Sequence, residues 1–136
     1  MTAKEWLSRA WKIDNEIDAL LSGKSAAYER LTSITAQQSG TVISSTKDPH
    51  KAESLLASYA AYDAEIQERV NSLMAIKSEI QETISTLEDV RYRTLLTYRY
   101  INYQPWEQIA VNMSYSYMHI CRLHGEALKA IEPLIP

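Results

Sequence analysis

Residues 104–131, QPWEQIAVNMSYSYMHICRLHGEALKAI, contain two short apolar repeats separated by a Ser-Tyr-Ser segment. Pro105 suits the first position of a helix, because its missing N–H needs no partner there. Ser116 is a favourable N-cap for a second helix. The apolar residues recur at three- and four-residue steps, as on one face of a helix. In the first repeat they are Trp106, Ile109, Ala110 and Met113, and in the second Ile120, Leu123, Ala127, Leu128 and Ile131. The stretch therefore predicts a helix-turn-helix.

The turn and the outer face of the second helix carry the functional hypothesis. A small residue, Ala110, allows two steeply crossing helices to approach. Ser114 falls where many such turns have a left-handed Gly. The outer face near the start of the second helix carries Tyr117, Met118, Cys121 and Arg122. That face enters the major groove in DNA-reading proteins of this type, although two amphipathic helices without any DNA role would show a similar pattern.

The segment upstream predicts a further helix over residues 87–104, LEDVRYRTLLTYRYINYQ, after a break at 86–89. Asp89 can cap this helix. Its inward positions are expected to be Val90, Leu95, Leu96 and Tyr100.

The order of these pieces resembles region 4 of sigma-70-type RNA polymerase sigma factors. The matching pieces are Tyr98-Arg99-Tyr100, Glu107-Gln108-Ile109-Ala110, Ser116 and Ala127-Leu128. Nearly the whole chain, with its opening MTAKEWLSRAWKID, resembles a family of small phage- and prophage-encoded sigma-70 region-4-like transcriptional regulators of Gram-positive bacteria. The resemblance implies that a recognition helix inserts into a promoter major groove. It implies double-stranded DNA as a partner and bacterial RNA polymerase as a second expected contact.

The candidate DNA-binding residues fall into two groups. Arg122 is the strongest candidate for reading a base, because Arg is the commonest specific reader of guanine; a phosphate contact or a surface role is the alternative. The complete set is Ser116, Tyr117, Met118, His119, Cys121, Arg122, Arg91, Arg93 and Arg99. We expect His119 and the three upstream arginines to meet phosphates, while Arg99 has the alternative of pairing with Glu107.

The charge distribution argues against binding by a lone copy. The chain has a net charge of −3, and residues 87–136 hold five basic and five acidic side chains. Phosphate neutralisation normally supplies most of the non-specific affinity for DNA. A neutral module is therefore expected to need a second copy or a partner such as RNA polymerase.

The N-terminal part predicts a long antiparallel helical hairpin, resembling a coiled coil. Thr2 and Glu5 fit a capping box at the start of a helix expected over 3–36, with fraying at Ser22-Gly23. Its apolar seam is Trp6, Ala10, Ile13, Ile17, Leu20, Lys24, Ala27, Leu31 and Ile34. A mobile loop is expected at about 37–48, and Asp48-Pro49 marks the next helix start.

The seam of the second long helix is Ala52, Leu56, Tyr59, Asp63, Ile66, Val70, Leu73, Lys77, Ile80, Ile84 and Leu87. Antiparallel pairing about a loop centre near residue 43 or 44 places Lys24 opposite Asp63, so the two polar interruptions are predicted to compensate each other. The alternative is that each reaches solvent separately.

The apolar residues off these seams suggest a partner surface, although they could also be scattered surface positions. They are Leu7, Leu21, Tyr28, Leu55, Tyr62, Met74 and Ile76. We expect a homodimer, or contact with the C-terminal module. The predicted organisation is all-α: a hairpin over 1–86 and a helix-turn-helix domain over 87–136.

Several function classes find no support in the sequence. His119, Cys121 and His124 do not share one helix face and lack a fourth ligand, so no metal site is expected. No nucleophile elbow, phosphate loop or paired carboxylate indicates catalysis, and no cofactor is expected. The single Cys121 and the lack of an apolar membrane segment suit the cytoplasm of a bacterial host. Two alternatives to a regulator stay open: a small-terminase-like DNA-packaging accessory protein, and a protein-interaction module that has lost DNA binding.

Overall fold

The computed structural model of the protein describes residues 1–39 and 49–136, and within these ranges it contains helices and no strand. The helices are α1 (Ala3–Leu7), α2 (Arg9–Ser39), α3 (Pro49–Ser85), α4 (Val90–Leu96), a π-helix (Thr97–Ile101), α5 (Trp106–Met113), α6 (Tyr117–Ile131) and a 3₁₀ turn (Glu132–Leu134). The all-α class is confirmed. None of the described helices is both long enough and apolar enough to cross a membrane.

The described residues divide into two compact units. We call Met1–Asp14 together with Ser72–Pro136 the core unit, and Asn15–Asn71 the hairpin unit. The boundary expected at residue 86 from the motifs stays a prediction. Residues 37–39 of the loop expected at 37–48 belong to α2. The rest of that loop, with Asp48 as the expected N-cap of the next helix, lies outside the described residues.

The hairpin unit pairs α2 with α3 in antiparallel register. Lys24 Nζ lies 2.6 Å from Asp63 Oδ1, and Arg69 Nε lies 2.8 Å from Glu16 Oε1. The predicted Lys24–Asp63 compensation is therefore confirmed, and the hydrogen bond to Asp63 raises the pKa of Lys24. Both ion pairs are partly exposed and bridge the two helices in this antiparallel register.

One seam position of the hairpin was wrong. Leu56 is 57% exposed, whereas Leu55, expected off the seam, is half-buried. An α-helix has 3.6 residues per turn, so a strict seven-residue seam drifts around it and the inward position moves by one residue. Gly23, where fraying was expected, lies inside the continuous α2, and an added Cβ there would come within 2.8 Å of the Tyr62 ring.

The first helix is interrupted in the core unit, contrary to the expectation of one helix over 3–36. The Thr2–Glu5 capping box forms as predicted, but α1 ends at Leu7 and α2 begins at Arg9. The Ser8 hydroxyl donates to the Lys4 carbonyl oxygen at 2.6 Å. Such back-bonding by Ser competes with the helical pattern and bends helices.

The core unit contains a continuous apolar core. Its fully buried large side chains are Leu7, Ile80, Leu95, Leu96, Ile109, Ile120, Leu123 and Ile131. Helix α6 packs against α1, α4 and α5, which makes it the central element of the unit. Leu7, expected off the hairpin seam, therefore packs with the C-terminal helices.

Two details of the helix starts differ from expectation. Val90, predicted to face inward, is 61% exposed. It lies five and six residues before Leu95 and Leu96, which places it about 120–140° around the helix from them. Pro105 is the N-cap of α5 in extended conformation, and Trp106 is the first helical residue, one position later than expected.

Candidate nucleic-acid interface

The connection between α5 and α6 is closed by local hydrogen bonds. Ser114 adopts the left-handed conformation, with φ 60° and ψ 38°, as its position predicted. The Tyr115 N–H donates to the Ala110 carbonyl oxygen at 3.0 Å, which terminates α5. Ser116 is the N-cap of α6, and its hydroxyl accepts from the His119 N–H at 3.1 Å. Both serines therefore have defined backbone roles.

The inner face of α6 is fixed in the core unit. Its buried residues are those predicted from spacing: Ile120, Leu123, Ala127 and Ile131. Leu128 is half-buried beside them. Burial of each large apolar side chain contributes about 1.5–3 kcal/mol. Rotation of α6 about its axis would expose these side chains, so the helix has little freedom to rotate. The orientation of its outer face is consequently well defined.

The outer face near the start of α6 is accessible. Tyr117 is 50% exposed and Met118 76% exposed, and Cys121 and Arg122 are exposed one turn further along. Arg122 makes no hydrogen bond or ion pair with any residue that the structure describes. We call these four residues the α6 face.

His119 is placed differently from its neighbours. It is half-buried, and its ring centroid lies 4.2 Å from that of Tyr115 in a tilted arrangement. The side chain therefore packs on the turn, while its N–H serves the Ser116 cap. Its position next to the helix start still suits a phosphate contact, but its main contacts are structural.

The three upstream arginines are occupied within the chain. Arg91 forms an ion pair with Asp89, whose pKa is lowered by that hydrogen bond. Arg93 donates to the carbonyl oxygens of Leu87 and Glu88. Both guanidinium groups therefore have partners within the chain, and neither is unpaired at the α6 face.

Arg99 contacts Gln104 and Trp106 rather than Glu107, so the alternative of an Arg99–Glu107 pair is wrong. Its Nη1 donates to the Gln104 carbonyl oxygen at 3.0 Å, and its guanidinium carbon lies 4.3 Å from the centroid of the Trp106 ring. A planar guanidinium stacks favourably on an indole face, whereas Glu107 is exposed on the first turn of α5.

A polar cluster that the sequence did not reveal lies between the π-helix and α6. The Tyr100 hydroxyl and His124 Nε2 are 2.7 Å apart, and the His124 ring centroid is 4.5 Å from that of Trp106. Burial, with smaller contributions from Lys4 and Arg99, lowers the pKa of His124 to about 4. The imidazole is therefore neutral at pH 7. A 24-residue separation hides this pair from any local pattern.

No described set of three or more His, Cys, Asp or Glu side chains is arranged to hold a metal ion. Of the three residues considered for such a site, His119 and His124 have the aromatic and hydrogen-bonding partners given above, and Cys121 is an exposed free thiol. Comparisons of the whole chain with protein-family models, with curated proteins and with solved structures find no match.

Proposed function

We propose that the protein is a sequence-specific DNA-binding transcriptional regulator of phage genes, acting in the cytoplasm of a bacterial host. In this proposal α5 and α6 form a helix-turn-helix with α6 as recognition helix. The observation that carries it is the division of α6 into a buried inner face and an accessible outer face, on which Arg122 has no polar partner among the described residues. Such a helix can enter a major groove without disturbing its own core.

The chemistry of the α6 face suits base contact. Arg122 offers five N–H donors in a planar fork, which matches the O6 and N7 acceptors of guanine. Tyr117 and Met118 supply apolar surface for contact with thymine methyl groups. The N-terminal end of α6 carries partial positive charge, which favours a nearby phosphate.

Affinity is proposed to come from assembly. Arg91, Arg93 and Arg99 are occupied within the chain, and residues 87–136 have balanced charges. A single copy would release few counterions from DNA. The proposed regulator therefore acts as an oligomer, for which a homodimer is the simplest form, or together with RNA polymerase.

A protein-interaction module without DNA binding is the second candidate. It is favoured by exposed apolar side chains on α5 and α6, where Val111 is 73% and Met118 76% exposed. Apolar surface of this kind marks protein contact sites when it is contiguous.

The first experiment is sequencing of the DNA bound by the tagged protein in its bacterial host. Sharp enrichment at promoters supports the regulator and supplies its operator. Enrichment at a packaging site would instead indicate the small-terminase-like accessory protein. No enrichment would favour the protein-interaction module.

The second experiment tests Arg122 directly by DNA titration of purified protein at several salt concentrations. We expect Arg122→Ala to weaken operator binding by about 1–3 kcal/mol while leaving random DNA unaffected. Lys129→Ala, at the other end of α6, is the matched control and should change both affinities little. Equal loss on operator and random DNA would assign Arg122 to a phosphate.

A further inference from the structure

A cavity of about 380 Å³ in the core unit is lined by none of the α6 face residues. Its wall includes Lys4, Ser8, Trp11, Arg99, Tyr100 and Tyr103. Pockets that bind small molecules commonly have volumes of about 300–1,000 Å³ and combine apolar walls with a few polar groups. The size and lining of this cavity fall within that description.

Two cationic side chains, Lys4 and Arg99, line the cavity. The charges of Lys4 and Arg99 both lower the pKa of His124, so both cations act on the same region of the core unit. Arg99 uses one N–H for the Gln104 carbonyl oxygen, which leaves further donors of its guanidinium unused by the described residues. Lys4 is exposed, and its ammonium forms no ion pair with a described residue.

The rest of the wall is aromatic. Trp11 is 51% exposed, although it is a large apolar side chain on α2. The Tyr100 hydroxyl already has one hydrogen bond, to His124 Nε2, and its ring is part of the cavity wall. Lys77 Nζ lies 4.8 Å from the Tyr103 ring centroid, and burial followed by the charge of Asp14 raises the pKa of Tyr103 to about 12. The Tyr103 phenol is therefore neutral at pH 7, and it has both the Lys77 ammonium and the Asp14 carboxylate in its surroundings.

The backbone around the cavity is unusual for a purely structural wall. Tyr103 has a φ of 57°, a left-handed conformation that a bulky residue rarely adopts. Arg99 and Tyr100 belong to the π-helix, a feature frequently found at functional sites. The Tyr103 hydroxyl is buried and has no hydrogen-bond partner among the described residues, an arrangement that requires an explanation in a native protein.

From these observations we infer that the cavity binds an aromatic anion, a planar ring that carries a carboxylate or a phosphate. The anionic group lies at Lys4 and Arg99, which keeps it away from Asp14, and the ring lies against Trp11 and Tyr103. Cations attract the charge, and aromatic pairs favour offset or edge-to-face ring contacts. This inference does not depend on DNA binding by α6.

The test is a titration of the ¹⁵N-labelled full chain with benzoate, followed through the Trp11 indole N–H and the backbone amides of residues 99–103. Benzamide is the neutral match of benzoate, and inorganic phosphate is an anion without a ring. We expect saturable shifts with benzoate and affinities about tenfold weaker for the other two probes. No saturation, or equal affinity for benzoate and benzamide, would overturn the inference, as would equal affinity for phosphate.

Two variants locate the site. Lys4→Gln should weaken benzoate binding by about threefold to fivefold, as expected for one partly exposed charge pair, and Trp11→Ala should abolish the saturable shifts. Lys12→Gln changes a neighbouring exposed lysine outside the cavity and should bind like the original protein. Lys4 and Trp11 are exposed, so neither substitution should disturb the fold. The amide spectrum of each variant verifies this. Unaltered binding in Lys4→Gln and Trp11→Ala would refute this location.

Discussion

The core unit and the hairpin unit use different means to define their structures. All eight of the large side chains that are fully buried among the described residues belong to the core unit, from Leu7 to Ile131. Among the described side chains of the hairpin unit, only Ile17 and Ala27 are buried. Two helices meet along one narrow line, so most side chains in that seam keep some surface in water. Packing therefore defines the core unit, whereas the hairpin unit combines a narrow apolar seam with partly exposed ion pairs between its helices.

The largest expected effect comes from the centre of the core unit. Leu123→Ala should lower the free energy of unfolding by about 2–5 kcal/mol, because it leaves a cavity under α6. The control Leu56→Ala removes the same atoms from an exposed hairpin position and should cost less than about 0.5 kcal/mol.

The placement of the tryptophans allows the two units to be followed separately in urea. Trp6, Trp11 and Trp106 all belong to the core unit, so their fluorescence reports on that unit, while far-ultraviolet circular dichroism reports on all helices. Equal losses of stability in Leu123→Ala and Leu56→Ala would remove the distinction between a packed core and a narrow seam.

The next effect tests the hairpin seam. Ile66→Asp places a charge at a half-buried seam position and should destabilise the hairpin by about 1–3 kcal/mol. Helicity, and the mass of any dimer, should fall, while the tryptophan transition stays close to its original midpoint. Gln67→Asp introduces the same charge at an exposed neighbour and is the control. Unchanged helicity and mass in Ile66→Asp would contradict the seam assignment.

Regular repeats made much of this fold predictable. The seams, the Thr2 and Ser116 caps, the left-handed Ser114 and the Lys24–Asp63 pair follow from local spacing or from one antiparallel register. The break at Ser8 depends on a single hydroxyl bond, which periodicity does not determine. The outward direction of Val90 follows from its angular distance to Leu95 and Leu96 around α4. Sequence patterns define elements better than they define their ends.

The candidate site was less predictable than the fold. Spacing along one helix correctly placed Tyr117, Met118, Cys121 and Arg122 on the outer side of α6. The partners of the upstream arginines were not foreseen, because a carbonyl oxygen or an indole face leaves no charge pattern in the sequence. The Tyr100–His124 pair was missed because its two members lie 24 residues apart in different helices.

A smaller effect is expected when the pH is lowered, which should reduce the stability of the core unit through His124. The folded-state pKa of His124, about 4, lies below its ordinary value of 6.5, so the unfolded chain binds the proton more readily. Stability from the neutral imidazole is complete above pH 6.5 and is lost as the pH falls towards 4. Because the ring is partly exposed, screening reduces the loss to about 1–2 kcal/mol. We expect the tryptophan-detected urea midpoint to fall between pH 7.5 and 5.0.

His124→Gln is the control for this pH effect. It should lower stability at pH 7.5 and flatten the dependence of the tryptophan-detected midpoint between pH 7.5 and 5.0. Glu5 and Asp89, whose pKa values are lowered by hydrogen bonds to Thr2 and Arg91, titrate below this window. A pH dependence that persists in His124→Gln would assign the loss to another group.

The smallest expected effect concerns the charge pairs that hold the hairpin register. Lys24→Glu faces Asp63 with a like charge and should lower the thermal midpoint of the helical signal slightly, without moving the tryptophan transition. Adding Asp63→Lys restores an opposite-charge pair in reversed orientation, so the double variant should recover the original midpoint. Salt should shrink the difference between the single and double variants, because both groups are partly exposed. If the double variant is no more stable than Lys24→Glu alone, the contact at 2.6 Å does not determine the register, and the apolar seam must do so by itself.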